Sequence, residues 1–277
     1  SESSYGWSMS QYLDDQPPPP YVPPPSEAPA KEILKLPLFS ATRWLQLGWR
    51  DFQAHSAISL FYGVAFWGMA MVMGLVFRNS PEYTMTLVSG CLLVGPFLAL
   101  GLYEVSRRRE AGQDPSFISS LTCWNSHLRS LGLLVGVLVV LELLWGRASL
   151  VVIAVFFNSG MPSSVGVMQS LTNPDNFDFV IAYMAVGGIF ASLVFAISVV
   201  SIPMILDRDT DAITAAITSI AVVLENTPAM VLWGVLIAAL VGLSMLLPWS
   251  VGLLVAGPLL GHASWHAYRS SVRWLTL

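Results

Sequence analysis

Charged side chains are scarce in this sequence, and that scarcity is the first constraint on its fold. Only 11% of the 277 residues are Asp, Glu, Lys or Arg, whereas 55% are hydrophobic. Soluble domains carry about 25% charged residues. With a mean hydropathy of +0.65, the chain has too little polar surface to cover itself in water. The composition therefore excludes an ordinary soluble domain and favours a membrane protein.

Cysteine is also rare, and the familiar catalytic motifs are missing. Cys91 falls in an apolar run and Cys123 in a connecting segment, which argues against a disulfide framework. The chain contains no H-E-x-x-H metalloprotease motif, no phosphate-binding P-loop and no G-x-S-x-G nucleophile elbow. Its net charge of −4 gives no nucleic-acid signature. We therefore expect neither an enzyme nor a nucleic-acid-binding protein.

Long uncharged runs, by contrast, are abundant. A bilayer core about 30 Å thick takes roughly 20 apolar residues of helix. Six runs of that kind predict six transmembrane helices, and they cover residues 57–77, 83–103, 131–157, 179–206, 229–247 and 249–268. The runs lack the period-two alternation of barrel strands, so the expected fold class is an all-α polytopic membrane protein. A hairpin turn around Pro248 must separate the last two.

The basic residues predict the orientation of these spans, because cytoplasmic loops retain positive charge. Eleven of the 13 lie in segments on one side of the predicted membrane, and only Arg78 lies in a loop on the other side. The eleven are Lys31, Lys35, Arg43, Arg50, Arg107, Arg108, Arg109, Arg129, Arg208, Arg269 and Arg273. Both termini are therefore predicted to be cytoplasmic.

Two amphipathic segments are predicted to lie along the cytoplasmic face of the membrane. In residues 209–225 the apolar positions Ile213, Ile217, Ile220 and Leu224 recur at helical spacing, after three aspartates suited to capping a helix. Before the first span, Leu45, Trp49 and Phe52 share one helical face, with Arg43, Trp44 and Arg50 suited to the headgroup zone. Both segments indicate interfacial helices.

The first 37 residues differ in composition from the rest. Prolines fill positions 17–20 and 23–25, and consecutive prolines favour an extended polyproline II chain without a core. A disordered tail is the simplest interpretation. Aromatic residues on a stiff backbone also suit binding along a partner surface, and the candidate anchors are Tyr5, Trp7, Tyr12 and Tyr21. We favour a partner-docking tail over residues 1–37, followed by a transmembrane domain over residues 38–277.

A weak internal repeat is visible among the spans. Gly95-Pro96 precedes Arg107 near the end of the second span, and Gly257-Pro258 precedes Arg269 at the end of the sixth, at the same spacing. The fourth span also carries a proline and ends in an arginine. A repeated unit of one interfacial helix and a helical hairpin would explain the pattern, as would coincidence in apolar sequence.

Ionisable residues inside the spans are the remaining candidates for a functional site. Glu142 and Arg147 lie in the third span, where charges are costly, and their five-residue spacing places them on different helix faces. His262 and His266 lie four residues apart on one face of the sixth span and are weak candidates for a metal or haem. A zinc site needs a third protein ligand, so hydrogen bonding is the preferred role, and we expect no cofactor or metal.

Four motifs resemble the signatures of one bacterial family. They are GWRDF at residues 48–52, GPFLALGLYEVSR at 95–107, PMILDRD at 203–209 and GHASWHAYR at 261–269. From about residue 38 to its C terminus the chain is similar to an integral-membrane family of unknown function, some of whose members are labelled cytochrome c oxidase subunits. The resemblance implies a six-span protein of the bacterial inner membrane. A haem-copper catalytic subunit is excluded, because the chain has only four histidines.

Three functions remain compatible with these features. The leading one is a non-catalytic accessory or assembly subunit of a respiratory or photosynthetic membrane complex, with the other subunits and lipids as partners. The alternative is a small-solute transporter or channel, which would place Glu142 and Arg147 beside a water-filled cavity rather than at a subunit contact. The third is a haem or metal-binding redox protein, which would show a visible absorption spectrum.

Overall fold

A computed structural model describes residues 31–80, 83–157, 169 and 172–275 of the chain. These residues are almost entirely helical, which confirms the predicted all-α class. The helices are α1 (Ser40–Ala54), α2 (Ser56–Asn79), α3 (Thr84–Glu110), α4 (Phe117–Thr122), α5 (Leu128–Phe156), α6 (Phe177–Ser198), α7 (Ser201–Arg208), α8 (Ala212–Glu225), α9 (Thr227–Leu246) and α10 (Leu253–Ser271). Short 3-10 turns occupy Asn125–His127, Pro174–Asn176 and Pro248–Ser250, and two strands, β1 (Lys31–Ile33) and β2 (Val272–Trp274), pair antiparallel.

Four helical stretches are long and apolar enough to cross a membrane. They are Ser56–Asn79, Phe117–Phe156, Pro174–Arg208 and Thr227–Leu246, and they correspond to the predicted first, third, fourth and fifth spans. The predicted second and sixth spans form the helices α3 and α10, which are outside this set of four. The count of six spans therefore stays a prediction. The last two runs are separate helices, as the turn at Pro248 requires.

The orientation also stays a prediction, and a reporter fusion would test it. Because cytoplasmic loops retain Lys and Arg, we expect a reporter that is active only in the periplasm to be inactive when fused after Leu277. The same reporter inserted after Asn79, in the loop on the opposite side, should be active. Activity at the C terminus and none after Asn79 would contradict the predicted topology.

The predicted fourth span is interrupted in the structure. α6 ends at Ser198 and α7 begins at Ser201, so residues 199–200 break the run that we expected to be one helix. Pro203 accounts for the break, because a proline donates no hydrogen bond to the carbonyl four residues earlier and its ring clashes with it. The hydroxyl of Ser219 accepts a hydrogen bond from the backbone N–H of Val200 at 3.1 Å and so satisfies this buried donor at the break.

The order of helices recurs three times along the chain. Each unit has a short helix, a long apolar helix and a proline-containing helical segment: α1–α2–α3, α4–α5–α6–α7 and α8–α9–α10. The long apolar helix of each unit packs on the last helical segment of another, since α2 contacts α10, α5 contacts α3 and Gly234 of α9 lies against Phe195 of α6. α3, α7 and α10 contact one another at the centre. The repeated unit of a short helix and a helical hairpin thus extends to three copies.

The two short helices at the predicted membrane face pack differently from each other. On α8, Asp211 caps the helix by accepting from the Thr214 N–H, and the large residues Ile213, Ile217 and Leu224 face outward. α1 instead buries Trp44, which we expected in the headgroup zone. The ring of Trp44 packs edge-on against Trp233, and its N–H donates to the Ser270 hydroxyl at 3.0 Å.

Residues 31–36 pack on the bundle rather than with the tail. β1 pairs with β2, and the Leu34 N–H donates to the carbonyl of Ser271 at 2.9 Å. The side chain of Asn226 accepts from the Leu36 N–H at 2.8 Å and donates to the carbonyl of Leu34 at 3.0 Å. Residues 31–36, which the predicted boundary at residue 37 assigns to the tail, thus contact the bundle, and the boundary itself stays a prediction. The predicted aromatic anchors of the tail lie outside the described residues.

Candidate functional site

The four motifs of the resemblance meet at one end of the bundle. Asp51 comes from α1, Glu104 to Glu110 from the end of α3, Asp207 from the end of α7, and His262 to Arg269 from the second half of α10. We call this set, with Ser59 of α2, the polar cluster. Its hydrogen bonds join Asp51, Ser59, Glu104, Ser106, Arg107, Arg108, Arg109, Glu110, Asp207, His262, Trp265, His266, Tyr268 and Arg269.

Asp51 is the centre of the first half of the cluster. Its side chain is only 2% exposed. Oδ2 accepts from the Ser106 hydroxyl at 2.7 Å and lies 2.6 Å from Nε2 of His266, while Oδ1 accepts from the Arg109 guanidinium at 2.5 Å. Burial raises the pKa of Asp51, but hydrogen bonds from His266, Ser106 and Arg109 outweigh it and hold that pKa below its ordinary value of 3.8. The carboxylate is thus charged and saturated with donors.

His262 lies fully buried between two serines. Its Nδ1 is 2.8 Å from Ser106 Oγ, and its Nε2 is 2.8 Å from Ser59 Oγ. Ser106 gives its only hydroxyl proton to Asp51, so it must accept from Nδ1–H of a neutral His262. Nε2 then accepts from the Ser59 hydroxyl. This assignment of protons follows from the hydrogen-bond network and gives one directional chain from Ser59 to Asp51.

The second half of the cluster joins the ends of the three central helical segments. Glu110 of α3 accepts from the Trp265 indole at 2.8 Å and from the Arg269 guanidinium at 3.0 Å. Asp207 of α7 accepts from the Tyr268 hydroxyl at 2.6 Å. Glu104, buried on α3, accepts from Arg107 and Arg108 at 2.8 Å. The contacts of Glu110 and Asp207 tie α3 and α7 to α10, whereas those of Glu104 stay within α3.

The arrangement of the histidines bears on the expected absence of a metal or haem. Both ring nitrogens of His262 already have serine partners, and Nε2 of His266 is bonded to Asp51. In the described ranges, no three His, Cys, Asp or Glu side chains are grouped so that they could hold a metal ion. A ligand at His262, or at Nε2 of His266, would have to displace an existing hydrogen bond.

We therefore predict that the purified protein carries neither haem nor metal. Because His262 and His266 are already hydrogen-bonded, no ring nitrogen of His262 is free to ligate iron or zinc. The expected result is a visible spectrum without a haem band and a metal content well below one equivalent. One equivalent of haem or metal that disappears in the His262→Ala variant would contradict this prediction.

The structure places Glu142 and Arg147 on different sides of α5. Glu142 is buried against the bundle, whereas Arg147 is exposed on its outer surface. A cavity of about 310 Å³ lies between α2, α3, α9 and α10, and neither residue lines it. The polar side chains in its lining are those of Tyr103 and Ser264, and the Ser264 hydroxyl donates to the carbonyl of Leu260 at 2.7 Å. The structure does not bring the two charged residues together into one site.

The sequence alone did not identify Asp51, Ser106 or Ser59 as site residues. Asp51 and Ser59 lie eight positions apart, but Ser106 lies 55 positions after Asp51, and His262 a further 156 positions along the chain. The only signal was indirect, because Asp51 and Ser106 lie inside the motifs of the resemblance. His262 and His266 were singled out, and the structure shows the partners of both.

The fold and the cluster define a polytopic helical membrane protein whose helices are joined by a buried polar network. Residues 84–207 match the model of a family described as "Predicted integral membrane protein (DUF2189)". The resemblance to an integral-membrane family of unknown function is thereby confirmed, and its motifs at 48–52 and 261–269 lie outside the matched segment. No curated protein matches the chain. No solved structure matches it either.

Proposed function

We propose that the protein is a non-catalytic accessory or assembly subunit of a bacterial inner-membrane energy-conversion complex. The observation that carries the proposal is the polar cluster, whose reactive groups bind one another. Asp51, His262 and His266 are the residues best suited to proton transfer, yet they join α1, α2, α3 and α10 through bonds of 2.6 to 2.8 Å. A catalytic site directs such groups at space that a substrate can enter.

The cavity supports the accessory role over transport of a polar solute. A transport pathway needs polar or charged side chains along a water-filled route. The cavity between α2, α3, α9 and α10 is lined by apolar side chains apart from those of Tyr103 and Ser264. Glu142 and Arg147, the candidates for a transport site, belong to α5 and lie elsewhere.

The type of complex is proposed from the resemblance and from the tail. Members of the family that the motifs resemble are sometimes labelled as oxidase subunits, which favours a respiratory or photosynthetic assembly. The tail offers four aromatic anchors on a proline-stiffened backbone, which reduces the entropy lost on binding. The tail enters the bundle at β1, beside the C-terminal strand β2.

Deleting residues 1–30 tests the proposal. Because residues 31–36 pair with β2 and bond to Asn226, a deletion that stops before Lys31 keeps these contacts, and we expect the shortened protein to remain folded and monodisperse in mild detergent. The full chain should migrate with a larger complex on a native gel, and the deletion should release it. The complex is identified by mass spectrometry of the band.

A second variant tests whether the aromatic side chains, rather than the length of the tail, hold the protein in the complex. Replacing Tyr5, Trp7, Tyr12 and Tyr21 by Ala keeps the prolines and should release the protein as the deletion does. Replacing Ser3, Ser4, Ser8 and Ser10 by Ala alters the same number of residues and should not. A full-length chain that migrates alone in mild detergent would refute the accessory role.

A further inference from the structure

We infer that the outward face of α5 binds a transmembrane helix of a partner protein, and that this helix carries a carboxylate opposite Arg147. The inference rests on the proposed function, since it names the surface by which an accessory subunit would join its complex. We call this surface the α5 face, and it consists of Gly132, Gly136, Val140, Leu143, Arg147 and Leu150.

The α5 face is one continuous stripe that the bundle leaves uncovered. Its residues recur at intervals of three and four, which places them on one side of a helix. All are exposed, with Val140 at 55% and Leu143 at 54%. The opposite side of α5 packs on the bundle through Leu131, Leu134, Val135, Leu138, Glu142, Gly146 and Ser149.

Two glycines in this stripe permit a close approach. Gly132 and Gly136 form a G-x-x-x-G pair, and a Cβ added to either would have no neighbouring atom within 4 Å. Gly63 of α2, by contrast, is already covered, because a Cβ there would lie 2.2 Å from the carbonyl oxygen of Leu254 in α10. Within membranes, outward-facing small residues at this spacing let a second helix pack tightly. The glycines thus allow a second helix to pack closely on this surface. They do not determine which helix binds, so a second feature must specify the partner.

Arg147 is that second feature, because its positive charge is stabilised by an opposite charge on a neighbouring helix. It lies nine residues before the end of α5, about 14 Å along the helix axis, on the same stripe as the glycines. Among the residues that the structure describes, no carboxylate forms an ion pair with Arg147. A charged residue on the lipid-facing side of a span is unfavourable unless it is paired or reaches the interface. A carboxylate from another helix would satisfy it within the membrane.

A second copy of this chain does not fit the same surface. A parallel symmetric pair would cross at the glycines and leave each Arg147 beside the same residue of the other copy. The acidic residue that α5 contains is Glu142, which is buried on the opposite side. Two α5 faces therefore present like charges and no acid, so charge complementarity favours a different polypeptide.

Photocross-linking of the full chain in its native membrane tests the inference. A benzophenone amino acid at Leu143 should form an adduct with another polypeptide, whose linked peptide is an apolar segment containing Asp or Glu. The same amino acid at Leu75, which is 62% exposed on α2, should form no such adduct. Arg147→Leu and Gly136→Leu should each weaken the adduct about tenfold, the effect of losing one favourable contact.

Controls on α2 distinguish the partner surface from general damage. Arg78→Leu and Gly74→Leu change the same residue types at exposed positions of α2, and should leave the adduct at Leu143 unchanged. Arg147→Lys keeps the positive charge, and this variant should retain most of the adduct at Leu143. The inference about the α5 face would be wrong if the α2 controls lost as much adduct as the α5 variants. It would also be wrong if Leu143 formed an adduct only with lipid or with a second copy of the chain. In both cases the proposed function would still stand, provided that the chain migrates in a complex. A chain that migrates alone refutes the proposed function as well.

Discussion

Replacing Asp51 with Ala will sharply lower the thermal stability of the detergent-solubilised protein. The substitution removes the acceptor shared by Ser106, His266 and Arg109. Arg109 is 40% exposed and can turn to water, whereas His266 is 12% exposed and Ser106 is buried. Most of the cost therefore comes from Ser106 and His266, and we expect a loss of about 3 kcal/mol in the free energy of unfolding.

The measurement is the unfolding midpoint in detergent, with Asp114→Ala as the control. Asp114 is an exposed aspartate in the segment after α3, and its removal should change the midpoint little. A midpoint for Asp51→Ala equal to that of the Asp114 control would show that the carboxylate does not stabilise the bundle.

Because Asp51 is charged, its contribution to the stability of the folded protein depends on pH, and the direction of its pKa shift determines how. Because the pKa of Asp51 in the folded protein is below 3.8, the unfolded chain takes up the proton first as the pH falls. The stabilisation by Asp51 is thus fully present at a pH above the pKa that Asp51 has in the unfolded chain. It is lost as the pH falls through the lower pKa of Asp51 in the folded protein. The difference in midpoint between wild type and Asp51→Asn should narrow as the pH is lowered below 3.8. A difference that stays constant would indicate that the charge of Asp51 is not what stabilises the bundle.

The helices themselves could be predicted because their signals are local. Apolar runs of bilayer length gave α2, α5, α6 and α9, and the aspartates before residue 212 indicated a helix start that Asp211 caps. The break at residues 199–200 was missed because hydropathy does not register the backbone effect of Pro203. The other two aspartates were assigned to the cap, whereas Asp207 accepts from Tyr268 and Asp209 lies 2.8 Å from His127.

The candidate site could not be predicted from the same signals. The bonds of Asp51, Ser106 and His262 depend on which helices pack side by side, and helical periodicity carries no information about neighbours. Trp44 illustrates the limit: a tryptophan near a membrane surface is usually placed in the headgroup zone, yet here α10 and α9 cover it. The repeat was the one sequence feature that related residues far apart in the chain. In the structure the last helices of its units, α3, α7 and α10, contact one another.

Close packing of α2 on α10 leads to the second large expected effect, the substitution of Gly63. A Cβ at Gly63 would lie 2.2 Å from the carbonyl oxygen of Leu254 and 3.2 Å from its Cα. Backbone atoms cannot rotate away as a side chain can, so Gly63→Ala must push the two helices apart. Overpacking of this kind costs about 1–3 kcal/mol. The helices that would separate also carry Ser59 and His262 of the polar cluster.

Gly68, one and a half turns further along α2, is the matched control. A Cβ at Gly68 would have no neighbour within 4 Å, so Gly68→Ala makes the same chemical change without a clash. Alanine is favoured over glycine inside a helix by about 1 kcal/mol, and the control should unfold at the same or a higher temperature than wild type. Gly63→Ala gains the same propensity and should still unfold at a lower temperature, because the clash outweighs it. Equal midpoints for the two variants would mean that α2 and α10 do not approach as closely as the fold requires.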